Sequence, residues 1–164
     1  MISDAELDKS LKILNVIWGA MIVAVLIYMF VIPPFLGKAY RPSLSADAFG
    51  TLRIALYIAS CGVIIVARVL PKYISSGRVK LKQNTTVSSH PAIQLYTSAM
   101  ILALALSEAI AIFGLVLFFL ARDTASLYLL GTISILSMLL YRPVRQDIID
   151  AVTDHEKPAR IITT

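Results

Sequence analysis

The chain has 164 residues, 58% hydrophobic and 15% charged, with a mean hydropathy of +0.80 and a net charge of +5. A water-soluble domain of this length needs more polar surface and scatters its apolar residues at core-facing spacing, so a soluble fold is excluded. His90 and His155 are isolated and Cys61 is the lone cysteine, so neither a metal cluster nor a disulfide framework is available.

The apolar residues fall in four blocks, 11–36, 48–70, 92–121 and 125–141. A hydrocarbon core of ~30 Å takes about 20 helical residues; the first three blocks reach that length and the fourth is just sufficient. The expected fold is therefore all-α, a four-helix transmembrane bundle forming a single membrane domain over residues 1–164.

Ser3, Asp4, Ala5 and Glu6 have the form of a capping box. Leu7, Leu11 and Leu14 follow at helical spacing, so a short amphipathic turn runs into the first span. Asp4, Glu6 and Asp8 precede that span where a cleavable signal would carry basic residues, so it is expected to remain in place. Pro33 and Pro34 end or kink the helix.

The second block carries Arg53 toward one end and Arg68 toward the other, with Ser60 and Cys61 between them. The loop 71–90 that follows is polar and contains Arg78, Lys80 and Lys82. Its Asn84-Thr85-Thr86 is formally a glycosylation acceptor, set aside because the loop is assigned to the cytoplasm.

Four spans put the N-terminus, the loop 71–90 and the tail 142–164 on one side. That side holds Lys9, Lys12, Arg68, Lys72, Arg78, Lys80, Lys82, Arg142, Arg145, Lys157 and Arg160; the other holds Lys38, Arg41, Arg53 and Arg122. Eleven against four places both termini in the cytoplasm by the positive-inside rule. The setting is an inner (plasma) membrane of bacterial kind. Orientation and anionic lipid headgroups account for Arg78, Lys80 and Lys82, and no nucleic-acid partner is implied.

The third block contains the one acidic side chain far from any membrane edge, Glu108. An ionisable group near mid-bilayer costs ~2.5 to 3.5 kcal/mol on insertion scales, so its default reading is functional, with a proton or a cation as the ligand. Arg53, Ser60 and Ser134 are its candidate partners from neighbouring helices. Ala99, Ala103, Ser107, Ala111 and Gly114 form a small-residue ridge beside it, of the kind that lets helix backbones approach closely. Leu117 lies off that ridge. Two readings stand side by side: Glu108 as a proton carrier, and Glu108 as a neutral hydrogen-bonding staple in a scaffold or accessory subunit held by a homo-oligomeric or membrane-protein partner.

Arg122, Asp123 and Thr124 form a tight turn, with Asp123 or Thr124 as cap of the fourth helix. The tail is expected to form a short surface helix and then fray. No Walker loop, dinucleotide fingerprint or Gly-x-Ser-x-Gly turn is present, which reads as a non-enzyme without a cofactor.

The stretch from Leu104 to Leu120, with Glu108-Ala109-Ile110-Ala111-Ile112-Phe113-Gly114-Leu115 at its centre, resembles the ion-carrying helix of the proteolipid c subunit of rotary ATP synthases. In that family the essential carboxylate sits in the context E-A-x-A-I-(Tyr/Phe)-G-L, on the second helix of a hairpin whose polar loop is cytoplasmic. The resemblance implies that Glu108 carries an ion. Sodium-binding members place hydroxyls one and five residues after the carboxylate; Ala109 and Phe113 stand there in this chain, so the ion implied is a proton. The family's first helix has a run of glycines, whereas the second block here has Gly50 and Gly62, and two further helices flank the hairpin.

Overall fold

The computed structural model describes residues 4–36, 46–75 and 91–149, and over these residues the chain is helical with no strand. Its elements are α1 (Asp4–Phe30), α2 (Ile32–Leu36), α3 (Ala46–Ser75), α4 (Pro91–Ala121) and α5 (Thr124–Leu140). Ser3 of the capping box, the cluster Arg78, Lys80 and Lys82, Asn84 and the end of the tail lie outside the described residues.

Three segments are long and apolar enough to cross a membrane: Leu7–Leu36, Ala48–Leu70 and Ile93–Ala121. This is an integral membrane protein by that measure. α5, at 17 residues, is shorter. At 1.5 Å per residue it extends about 25 Å, a little under the hydrocarbon thickness.

The double proline does not stop the first helix outright. Val31 N–H still donates to Ile27 O at 3.0 Å and Phe35 N–H to Val31 O at 3.2 Å. Pro33 and Pro34 fall in the first turn of α2, where their missing N–H groups have no intrahelical acceptor to lose.

Helix directions follow from which residues meet. Along α5 and α1 the pairs are Trp18 with Met138 and Met29 with Gly131, so those helices run antiparallel. Gly114 meets Leu127 while Ser107 meets Ser134, so α4 and α5 are antiparallel too. Tyr57 meets Ser126 and Tyr141 meets Ala67, so α3 runs with α5. α1, α3, α4 and α5 thus alternate in direction.

α4 and α5 form the central pair. α1 packs on one side of them, with Leu14, Val25 and Met29 against Met100, Leu104, Ala111 and Met138. α3 packs on the other side, with Phe49, Leu52, Leu56 and Val63 around Ile110, Leu117 and Leu130. α1 and α3 do not pack against each other along their length. Leu117 is fully buried, so its place off the small-residue ridge puts it against α3 and not against lipid.

The small residues of α4 serve its close contact with α5 and, at Ala111, the seam with α1. Ala99, Ala103, Ser107 and Ala111 are all at least 95% buried. A β-carbon on Gly114 would lie 3.1 Å from Leu127 Cα and 3.3 Å from Ser126 O, so the two backbones touch there. On α5 the matching notch is Gly131, where Met29 of α1 is seated: a β-carbon there would lie 2.6 Å from Met29 Sδ.

Beyond α5 the chain folds back. Residues 145–149 form a helical turn, and Ile148 is completely buried in the cluster that includes Leu7, Leu14 and Ile93. The surface helix expected in the tail is therefore anchored at its start, because Ile148 caps the apolar end of the α1–α4 seam.

Candidate carboxylate site

Glu108 lies one residue from the middle of the 93–121 span, whose midpoint is residue 107. At about 100° per residue, Leu104 and Ala111 fall to one side of it and Ala105 and Ile112 to the other. The first pair is buried against α1, while Ala105 and Ile112 are exposed. Glu108 is half-buried on the boundary between the seam and the open surface.

Its hydrogen-bond partner among the described residues is Tyr28 of α1, whose O–H donates to Glu108 Oε1 at 3.1 Å. A carboxylate and the carbonyl oxygen of a neutral acid both accept such a bond, so the contact survives either protonation state and is stronger to the ion. Tyr28 was not among the expected partners. The signal was present in the sequence: Tyr28 is the one hydroxyl in the apolar run 19–36, and a tyrosine O–H at membrane depth needs an acceptor.

The three expected partners are engaged elsewhere. Ser60 Oγ donates to Leu56 O of its own helix at 2.8 Å. Ser134 Oγ donates to the backbone oxygen of Ser107 at 2.7 Å, across the α4–α5 contact. Ser107 Oγ bonds Ala103 O at 2.9 Å and Ser137 Oγ at 2.8 Å. Its single proton goes to the carbonyl, so Ser137 is the donor in the second bond. The Ser107, Ser134 and Ser137 hydroxyls tie α4 to α5 on a face of α4 turned away from the carboxylate.

Arg53 belongs to a separate cluster at the α4–α5 turn. Its Nε lies 3.7 Å from Asp123 Oδ2 and donates to the Tyr57 hydroxyl at 3.4 Å, with the guanidinium 5.5 Å from the Tyr57 ring centroid. Tyr57 Oη and Ser126 Oγ are 2.7 Å apart, and Ser126 Oγ donates to Asp123. Ser126 spends its proton on the carboxylate, so Tyr57 donates to Ser126. All three hydroxyl and guanidinium donors therefore point along one line toward Asp123, which also caps α5 by accepting Ser126 N–H at 3.1 Å. Burial pushes the Asp123 carboxyl up, but the Ser126 hydrogen bonds, Arg53 and the Ala125 N–H outweigh it and hold the group below its ordinary range.

The turn itself is strained at Arg122, a non-glycine residue at φ 60 whose N–H still reaches Phe118 O at 2.7 Å. That is the left-handed stop that ends a helix, more often made by glycine. Among the described residues no group of histidine, cysteine and acidic side chains is placed to hold a metal ion.

Comparison with known proteins adds no relative: no family model, curated protein or solved structure matches the chain.

Proposed function

We propose that this chain spans the membrane four times with both termini cytoplasmic, and that Glu108 takes up and releases a proton. The observation that carries this reading is the Tyr28–Glu108 hydrogen bond at mid-span, on the edge of a surface that none of the described helices covers. A carboxyl in that position is reached from one side and held from the other. The tyrosine hydroxyl keeps it oriented whether it carries its proton or has released it, since both forms accept the bond. The similarity of residues 104–120 to a c-subunit proteolipid points to the same chemistry. Assembly into a ring is no part of the proposal.

The second reading, a non-transporting scaffold or accessory subunit, takes the same hydrogen bond as a staple between α1 and α4, worth ~0.6 to 2 kcal/mol in a bilayer. It gains nothing from the small-residue ridge, which is consumed inside the chain by α5.

A hydrophobic carbodiimide separates the two, because it attacks neutral carboxyls in apolar surroundings. Protein in lipid nanodiscs should be modified at Glu108 ahead of the other acidic residues, as read by peptide mass spectrometry, and modification should slow once the group ionises. Modification spread evenly over the surface acids, with Glu108 untouched, would reject the proton reading.

A further inference from the structure

The surface beside Glu108 has a definite shape. Viewed down α4, the residues facing α5 (Ala103, Ser107, Gly114) and the exposed residues Ile101, Ala105 and Ile112 lie about 180° apart. α1 and α3 flank the α5 side and do not pack against each other along their length, and the stripe opposite α5, with Ile101, Ala105 and Ile112 exposed, stays open between them. In a bilayer that stripe faces acyl chains, so Glu108 is reached sideways from the lipid. Among the described residues it presents one carboxylate with one tyrosine hydroxyl beside it.

That donor set decides what kind of cation fits. A metal ion stripped of water needs about four ligands if it is zinc and about six or more oxygens if it is calcium or magnesium, and this site offers too few among the described residues. A bulky organic cation carries its charge on an apolar body, needs no coordination shell, and already partitions into lipid. Its charge is complementary to an ionised Glu108 and its body to Ile101, Ala105 and Ile112. We propose that the stripe on α4 between α1 and α3 is a binding site for a lipophilic organic monocation, an ammonium or phosphonium, entering laterally from the bilayer and paired with Glu108. The proposal rests on the proton reading, since a carboxyl that exchanges its proton is the one that accepts the cation in its place.

The probe is tetraphenylphosphonium, with binding measured by equilibrium dialysis on single chains in zwitterionic nanodiscs against empty discs. Wild-type protein should show saturable binding above partitioning into lipid. Glu108→Gln should weaken it at least about tenfold, the effect of one lost charge contact. Ala105→Trp, which fills the stripe and leaves the carboxyl group in the chain, should do the same, and Ile58→Trp on the exposed face of α3 should leave binding unchanged. Should Glu108→Gln fail to fold, the Ala105 and Ile58 variants still decide the question. Equal binding by wild type, Glu108→Gln and Ala105→Trp would overturn the proposal. So would disulfide-linked dimers of a Cys61→Ser, Ala105→Cys variant together with no probe binding, which would assign the stripe to a second copy. If carbodiimide still selects Glu108 while the phosphonium does not bind, the cation site falls and the proton reading stands; if neither reagent finds Glu108, both fall.

Discussion

Tyr28 and Glu108 are 80 positions apart in the chain, and the tyrosine O–H meets the carboxyl oxygen at 3.1 Å because α1 and α4 run in the same direction on one side of α5. Removing that hydroxyl tests what the bond does. Tyr28→Phe keeps the ring in the seam and leaves Glu108 without its donor. Stability should drop by about 1 kcal/mol, the measured range for interhelical hydrogen bonds in bilayers. If Glu108 carries a proton, carbodiimide modification should also change in rate, since the carboxyl loses its orienting contact; a staple alone would lower the melting temperature and leave the labelling rate where it was.

The α4–α5 contact should be intolerant of added bulk. Gly114→Ala places a methyl 3.1 Å from Leu127 Cα and 3.2 Å from Leu130 Cβ, atoms that cannot turn aside without moving α5. Ala111→Leu does the same against the buried α1 seam. Each should cost about 1 to 3 kcal/mol by overpacking, read as a lower unfolding midpoint in detergent. Leu117→Ile is not a neutral control, because Leu117 is completely enclosed by α3. Ile112→Leu, on the open stripe, is; a midpoint shift as large as that of Gly114→Ala would mean that the stripe is covered.

Asp123 ties α3 to the α4–α5 turn through Ser126, Tyr57 and Arg53. Its carboxyl is held below the ordinary range, so the stability it contributes is fully present above its unfolded-state value of ~3.9 and is lost as pH falls through the lower folded value. Asp123→Asn keeps a capping oxygen and loses the charge, so it should cost at most about 1 kcal/mol at neutral pH, from the lost ion pair. It should also flatten the acid limb of the stability curve below about pH 4. A wild-type acid limb retained unchanged in the variant would place the acid-sensitive group elsewhere.

Orientation is checked by side-specific labelling. In a Cys61→Ser background, single cysteines at Ser43 and Ser76 should react with a membrane-impermeant maleimide from opposite sides, Ser43 from outside intact cells. Reaction of both from outside would reject cytoplasmic termini.

The membrane setting and the ends of the helices were legible residue by residue. Block length and apolarity place α1, α3 and α4 without any tertiary information, since a segment of 23 to 30 apolar residues has no other stable solution in a bilayer. The cap at Asp123 was equally local, being set within three residues of Ser126. So was the depth of Glu108, because its distance from both ends of an apolar run is read by counting residues.

The identity of those neighbours depended entirely on how the helices pack. Lipid is as apolar as leucine, so hydrophobicity does not tell a helix which face to bury, and close packing at Gly114 and Gly131 makes that choice. Once α5 occupies the small-residue ridge, Ser134 is drawn to the Ser107 backbone, Arg53 to Asp123, and Tyr28 is the described residue that bonds Glu108. The sequence determined that a carboxyl lies in the membrane; the side of α4 that stays open beside it was decided by α1 and α3 packing on either side of α5.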